Sequence, residues 1–342
     1  MPQYFSTFIT GFQEVVRHAL QKQFKDVEIK LLLDGLVVYN TNAPFQNIKA
    51  IRFFNNNYYM LRYFNQLKNE SIEYMMQSIL NDKKTISSLP RQVIGKAASF
   101  RIVASKENQT VSPNSNLLIQ TEKLFSHQWN LKVNRSLPDV EVWFLLRSEG
   151  SGFIGIRIRE KNNYKKNIAK GELRPELANL LCWISDPEKD DVFLDPFAGS
   201  GAIPAERAKS FPYQKIIASD LNQELFNQLN QRLHKVTNRV ILGKWDALNL
   251  TEIEDRSVDK IVTDPPWGLF SHQDVDLQAF NTNMLEEFSR VLKTGGLLIV
   301  LTAQKGLFEG ALDKDPKLKL IKKFDILVSG KKAAIYKVQK LN

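Results

Sequence analysis

One stretch in the second half of the chain, Val192 to Ala208, restricts the possible folds more than any other; it reads VFLDPFAGSGAIPAERA. Val192 to Asp195 is a short apolar run of the kind buried in a parallel sheet, and it stops at a carboxylate followed by proline, small residues and two glycines. Ala202 to Lys209 then returns to helical composition. Strand, glycine loop and helix in this order form a unit that holds a nucleotide cofactor at the rim of an α/β sheet. Gly199 and Gly201 carry no Cβ to keep a ligand away, and the first N–H groups of the following helix are unpaired donors facing the same space. By itself such a loop is equally compatible with a plain tight turn.

Asp195 at the strand end would repel a phosphate, so the loop suits a cationic, phosphate-free ligand, and S-adenosylmethionine, with its ammonium and sulfonium groups, fits that description. A second stretch, Val258 to Phe270, reads VDKIVTDPPWGLF: a strand, then Asp264-Pro265-Pro266-Trp267-Gly268. A proline pair sits in neither sheet nor helix, so these residues form a rigid loop at a strand's C-terminal end, where open α/β sheets bind ligands. An exocyclic amino group conjugated with a base ring is a poor nucleophile. A carboxylate and a fixed carbonyl that accept its two N–H hydrogens would aim its lone pair at a methyl donor, while an aromatic face stacks on the base. Asp264, the Pro265 carbonyl and Trp267 supply those parts, with Pro266 stiffening the turn.

The pair DPFAGSG and DPPWG, in this order and about seventy residues apart, resembles the amino-methyltransferases of the class I S-adenosylmethionine-dependent fold, whose catalytic loop runs Asp or Asn, Pro, Pro, aromatic. The resemblance implies that Asp195, Pro196, Phe197, Gly199 and Gly201 contact the cofactor. It also implies that Asp246 and Ala247, in the Lys244-Trp245-Asp246-Ala247 stretch, lie by its adenine, although a surface-loop aspartate would look the same. Arg174 and Glu176, on the helix before the glycine loop, would cover the methionine end. Asp220 enters on its own position: KIIASD, Lys215 to Asp220, reads as the next strand and ends in a carboxylate about 25 residues beyond Asp195, where dinucleotide folds bind ribose hydroxyls. Capping the following helix is the alternative use of that side chain. Trp267 is a departure, since many relatives carry tyrosine, phenylalanine or histidine there.

At 342 residues the chain exceeds what a single core usually fills, so two or three domains are expected. A single cysteine, Cys182, excludes a disulfide framework and a cysteine-cluster metal site, and is expected to pack on the sheet. His18, His127, His234 and His272 show no ligand spacing, so no metal is expected. The N-terminus has no basic region ahead of its apolar residues, and no segment approaches the run of about twenty apolar residues that a membrane helix needs; a cytoplasmic protein without a membrane partner is expected. The formal charge of +10 favours a polyanionic partner, with an ordinary lysine-rich solvated surface as the alternative. Residues 1–160 carry 20 Lys and Arg against 13 Asp and Glu, and the remainder 27 against 24, so most of the basic excess lies ahead of the two motifs.

The N-terminal part reads as a strand at Tyr4 to Ile9, a helix from Gly11 to Gln23, and strands Val27 to Leu33 and Leu36 to Tyr39 around an Asp34-Gly35 hairpin turn. Phe53, Phe54, Tyr58, Tyr59, Tyr63 and Phe64 follow; Phe54-Tyr58 and Tyr59-Tyr63 stand at helical spacing, so core packing on a helix is expected over base stacking. FRIVAS, from Phe100, Asn116 to Trp129, Lys132 to Asn134, Val140 to Leu145 and Phe153 to Ile158 read as strand, helix and three strands. KVNRSLPDVEVWFLL followed by FIGIRI resembles the second half of a THUMP domain, an RNA-binding module that in its family grips the acceptor end of tRNA, and the opening resembles the α/β lobe found before such domains. Lys161 to Lys170, KNNYKKNIAK, is polar, basic and without periodicity, as a linker would be.

A helix from Glu172 to Ile184 with Pro175 in its first turn precedes the glycine loop. After the catalytic loop come a helix over Asn281 to Leu292, a stop at Thr294-Gly295-Gly296, an apolar strand Leu297 to Thr302, and a hairpin of Leu318 to Val328 with Ala333 to Val338 around Ser329-Gly330-Lys331-Lys332. The expected fold is α/β: a class I (Rossmann-like) methyltransferase domain with a seven-stranded sheet at 172–342, preceded by an N-terminal α+β lobe at 1–95, a THUMP-like domain at 96–160 and a linker at 161–171. The whole chain thus resembles the THUMP-containing guanine-N2 methyltransferases of tRNA or large-subunit rRNA. The function expected from that resemblance is methyl transfer to the exocyclic N2 of a guanosine in tRNA. A DNA amino-methyltransferase and a non-catalytic RNA-binding protein are the rival expectations.

Overall fold

The computed structural model describes residues 1–67, 71–82, 86, 91–158, 172–234, 236, 239–268, 276–328 and 330–341. The linker expected at 161–171, together with 269–270 and Ser329 of the quoted motifs, lies outside the described residues. The chain divides into two compact units, Met1–Phe8 with Leu20–Asn163 and Ile9–Ala19 with Tyr164–Asn342.

The first unit holds β1 (Gln3–Thr7), part of α1 (Gln13–Gln23), β2 (Glu28–Leu33), β3 (Leu36–Asn40), α2 (Phe45–Lys49) and β4 (Asn56–Phe64). It continues with α3 (Ile72–Asn81), α4 (Arg91–Ile94), β5 (Ser99–Lys106), β6 (Gln109–Val111), α5 (Ser115–Trp129), β7 (Lys132–Val133), β8 (Val140–Leu146) and β9 (Gly152–Ile158). All of its strands belong to one sheet, in the order β2-β3-β1-β4-β9-β8-β5-β6, with β7 also on β5. β2 and β3 turn at Gly35, whose φ of 80° needs a glycine, as the Asp34-Gly35 signal predicts.

Two expectations are corrected here. The aromatic run belongs to a strand rather than a helix: Tyr58, Tyr59, Tyr63 and Phe64 lie on β4. A spacing of four residues returns to the same side of a helix and, being even, to the same face of a strand, so that spacing does not separate the two. Core packing holds for Phe53, Phe54 and Tyr58, which are buried, whereas Tyr63 is 38% exposed. Residue 95 is also no boundary of the sheet, because β4 pairs along its length with β9. On one face Met75, Met76 and Ile79 of α3 share a core with Phe100, Phe125, Phe144 and Ile154, so 1–95 and 96–158 fold together. Pairing between strands so far apart in sequence leaves no local trace.

The second unit holds α6 (Pro175–Ile184), β10 (Val192–Asp195), α7 (Ala202–Ser210), β11 (Lys215–Ser219), α8 (Gln223–Leu233) and β12 (Val240–Gly243). β13 (Val258–Thr263), α9 (Leu277–Val291), β14 (Leu292–Thr302), α10 (Lys305–Leu312), β15 (Leu318–Val328) and β16 (Lys331–Lys340) complete it. Among the described residues its sheet runs β12-β11-β10-β13-β14-β16-β15, seven strands. The first five are parallel and the closing pair is antiparallel, as the sequence order predicts. The order reverses between β10 and β13, which makes a crevice beyond their carboxyl ends.

Smaller differences are local. α6 starts at Pro175 rather than Glu172, because the proline fits the first helical position. α9 starts at Leu277, capped by the Asp276 side chain, and β14 already begins at Leu292, with a bulge around Gly295 at φ 79°. The Ile9–Ala19 segment packs within this second unit: the buried ring of Phe12 stacks on Phe324, Glu14 pairs with Lys322, and His18 meets the edge of Trp183. No helix among the described residues is long and apolar enough to cross a membrane.

Candidate active site

Four parallel strands deliver carboxylates to one rim. β10 ends at Asp195, β11 is followed by Asp220, β12 leads into the turn with Asp246, and β13 is followed by Asp264. The register sets Asp195 beside Ala218 and Ser219 beside Gly243, so these ends lie level.

Asp195 is fully buried. Its Oδ1 accepts a 2.8 Å hydrogen bond from Thr263 Oγ1, while Oδ2 has no partner among the described residues. Burial pushes this carboxyl well above the usual range, Thr263 opposes the shift, and the negative charges of Asp264 and Asp220 add to it. The glycine loop starts from this point. Ala198 N–H donates to Ser219 C=O, Gly201 N–H to Ala198 C=O, and Gly199 N–H to Asp220 Oδ2 at 2.9 Å.

The two glycines do different things. Gly199 has φ 55° and a Cβ there would meet nothing within 4 Å among the described residues, so among them its open side is clear. Gly201, at φ 90°, would bring a Cβ to 2.8 Å from Leu229 Cδ1; it permits close packing of α8 rather than ligand approach. Pro196 is buried, and the Phe197 ring packs against Phe280 and Phe288.

Asp220 is not a helix cap. Asn222 caps α8 by accepting from Glu224 and Leu225 N–H, whereas Asp220 Oδ1 accepts from Asn222 N–H. Its two oxygens are steered by one backbone donor each and keep further lone pairs to offer. Asp246 is exposed, accepts Leu248 N–H through Oδ1 and is followed by the buried Ala247. Arg174 and Glu176 stand at the start of α6, with Arg174 Nε 3.5 Å from Glu176 Oε2. Cys182 is buried on the same helix, and burial pushes its thiol up, away from reactivity.

In the DPPWG loop Pro265 is buried, Pro266 exposed, and Asp264 and Trp267 half-buried. Burial raises the Asp264 carboxyl to about 7, against the opposing effect of a hydrogen bond from Trp267. That bond, Trp267 Nε1–H to Asp264 Oδ1 at 2.9 Å, is one that sequence reasoning missed, since the motif suggests only an aromatic face. Gly268 turns the chain at φ 71°; a Cβ there would stand 3.0 Å from Leu277 Cδ1 and 3.1 Å from Gln304 Nε2. Gln304, just beyond β14, was missed too. Its Oε1 accepts from Asn281 and its Nε2 is buried without a partner among the described residues. Its place at a strand's carboxyl end was the available signal.

A rim of acceptors, an unsatisfied buried carboxyl oxygen and open space over Gly199 fit a cationic ligand carrying ammonium, hydroxyl and amino donors, as S-adenosylmethionine does. Fold and rim together define a class I methyltransferase. Residues 162–333, half of the chain, match the model of the UPF0020 family, the RMKL-like methyltransferase domain, and the chain belongs to that family.

The structure aligns over the full length of both chains with TrmN from Thermus thermophilus, at a TM-score of 0.79 and 20% identity. The SMU.472 structure, solved as a complex with SAH, aligns over all of this chain and 98% of its own at a TM-score of 0.69 and 14% identity. In sequence, the tRNA (guanine(6)-N2)-methyltransferase of Thermus thermophilus is 26% identical over 66% of this chain and 68% of its own. The mouse tRNA (guanine(6)-N(2))-methyltransferase THUMP3 is 27% identical over 73% of this chain and 53% of its own, so the chain spans about half of that relative. The tRNA (guanine(10)-N2)-dimethyltransferase of Methanocaldococcus jannaschii is 23% identical over 70% of this chain and 73% of its own.

Proposed function

We propose that this methyltransferase modifies the exocyclic N2 of a guanosine in tRNA. The observation that carries the reading is the pair of acceptors that opens the DPPWG loop: an ionised Asp264 and the Pro265 carbonyl can take hydrogen bonds but, unlike an asparagine, give none. Guanine presents N1–H and the N2 amino group side by side, a donor–donor edge. The amino groups of adenine and cytosine each stand next to a ring nitrogen that needs a donor, which a carboxylate cannot supply. Support for tRNA comes from the three sequence relatives named above, whose names give methyl transfer to a guanine N2 in tRNA.

S-adenosylmethionine, when bound, supplies the electrophilic methyl group. Asp220 is suited to the ribose hydroxyls, Asp246 and Ala247 to adenine, and Asp195, Pro196, Phe197, Gly199 and Gly201 to the body of the cofactor, with Arg174 and Glu176 toward its methionine end. Asp264 and the Pro265 carbonyl hold the amine, Pro266 keeps the loop rigid, and Trp267 supplies an aromatic wall for a guanine turned out of its stack. A carboxyl titrating near 7 is also matched to take the proton that the methylated amine sheds. Residues 1–160, with most of the basic surplus, serve as the RNA-gripping part in the manner of a THUMP module, and the protein works in the cytoplasm without a metal.

The test is incubation with methyl-labelled S-adenosylmethionine and, separately, unmodified tRNA, rRNA and DNA, followed by digestion to nucleosides and mass identification. Labelled N2-methylguanosine from tRNA is the expected product. Label confined to rRNA guanosine or to DNA would replace the substrate, and no label in any of them would remove the reading.

A further inference from the structure

The hydrogen bond from the Trp267 indole to Asp264 gives that side chain a task an aromatic face alone does not have. We propose that Trp267 is a positioning residue: its Nε1–H holds Asp264 Oδ1, so that the carboxylate presents Oδ2 to the amine and remains able to accept a hydrogen bond. The inference rests on the reading of Asp264 as the amine's acceptor.

The geometry is over-determined at both ends of the loop. Asp264 leaves β13 directly, and Thr263 before it is paired in the sheet with Val300. Pro265 and Pro266 each fix φ, and Gly268 then turns at φ 71° with Leu277 and Gln304 crowding the place a Cβ would take. Trp267 is thereby brought back over its own motif, with 2.9 Å between Nε1 and Oδ1. A carboxylate rotates about two single bonds, and one planar donor fixes which oxygen faces outward. Phenylalanine would keep an aromatic face but offers no donor.

The same contact governs ionisation. Among the described residues, Asp195 at the end of β10 is the titratable group coupled to Asp264, acid to acid, so it does not stabilise a negative charge there. Burial favours the protonated acid, and the indole N–H is the contact that opposes it. A protonated Asp264 would offer a donor to an amine that needs acceptors.

The test compares wild type with Trp267→Phe in two ways. One is single-turnover methylation of tRNA as a function of pH. The other is a carboxyl-carbon NMR titration of Asp264 in the protein without RNA, with the signal assigned through Asp264→Asn. The expected result is a rate lowered about tenfold near neutral pH, KM for RNA within about threefold, and an Asp264 midpoint raised by about one pH unit in both readouts.

An unchanged midpoint, or a loss expressed only in KM, would overturn the assignment and leave Trp267 as a stacking surface. Should Trp267→Phe fail to fold, Trp267→Leu, which also offers no donor, carries the same NMR comparison with the same expected rise. If wild-type protein methylates no RNA the substrate reading fails, while the titration still decides whether the indole holds Asp264.

Discussion

Asp264 concentrates the cost of building this site. Its carboxyl has an ordinary value of 3.8 when unfolded and is raised to about 7 in the fold. Between those limits the folded state binds more protons, so the group's stabilisation is complete below about pH 4 and is lost as pH rises through about 7. Asp264→Asn removes that loss, and calorimetric scans should show the variant more stable than wild type by about 1–2 kcal/mol near pH 8.5, with the gap closing near pH 4. Asp264→Ala, which removes both acceptor oxygens, should abolish methyl transfer yet leave S-adenosylmethionine binding near wild type in titration calorimetry; a variant retaining near-normal rates would remove Asp264 from its role. Gly199 is the complementary case, because no atom of the described residues lies within 4 Å of a Cβ placed there. Gly199→Ala should cost about 1 kcal/mol of stability for its φ of 55° and weaken cofactor binding at least about tenfold, since the methyl enters vacant space. An unchanged affinity would mean that the cofactor does not approach that atom.

The elements show what the sequence discloses and what it withholds. Strands and helices of the second unit were legible because each motif sits where a 2-residue or 3.6-residue pattern breaks: the carboxylate at the end of VFLD, the proline pair after KIVT, the glycines before LLIV. The acidic rim was legible for the same reason. The Trp267–Asp264 contact was not, because no residue pattern gives a side chain's rotamer, and the Gly268 turn that follows Trp267 is hemmed by Leu277 and Gln304, which come later in sequence. β4 was misread because its aromatic spacing is even, and its union with β9 was invisible because about ninety residues separate the partners. Gly155 marks that union, for a Cβ on it would lie 2.4 Å from Phe5 Cε1 and 2.7 Å from the Tyr59 carbonyl oxygen. A backbone oxygen cannot swing aside, so Gly155→Ala should destabilise the first unit by about 2–3 kcal/mol and speed hydrogen exchange in β4 and β9 while β10 and β13 stay protected. Equal exchange in β4 would show that the two halves of the sheet do not depend on this contact.

The chain as a whole is interleaved, and this bears on any attempt to divide it. A composition-based cut at about residue 172 would take the basic N-terminal part on one side and both motifs on the other, yet residues 9–19 belong to the compact unit that carries the motifs. Phe12 is fully buried and stacks on Phe324, Glu14 pairs with Lys322, and a Cβ on Gly11 would stand 2.7 Å from the Asp325 carbonyl oxygen, so this segment is seated on β15 closely enough to need a glycine. Removing it uncovers an edge strand that already exposes Leu320, Ile321 and Leu327. Open apolar edges recruit other copies, so a 172–342 fragment should aggregate or melt well below the intact chain. Supplying residues 9–19 as a tethered segment should restore a single cooperative transition, and Phe12→Ala within that segment should undo most of the gain, since burying a phenylalanine is worth about 3–5 kcal/mol. Thermal scans of the three fragments decide the matter. If 172–342 alone melts like the tethered form, the N-terminal helix is a passenger on that domain; if it does not, the methyltransferase fold is completed by residues that precede it by more than a hundred and fifty positions.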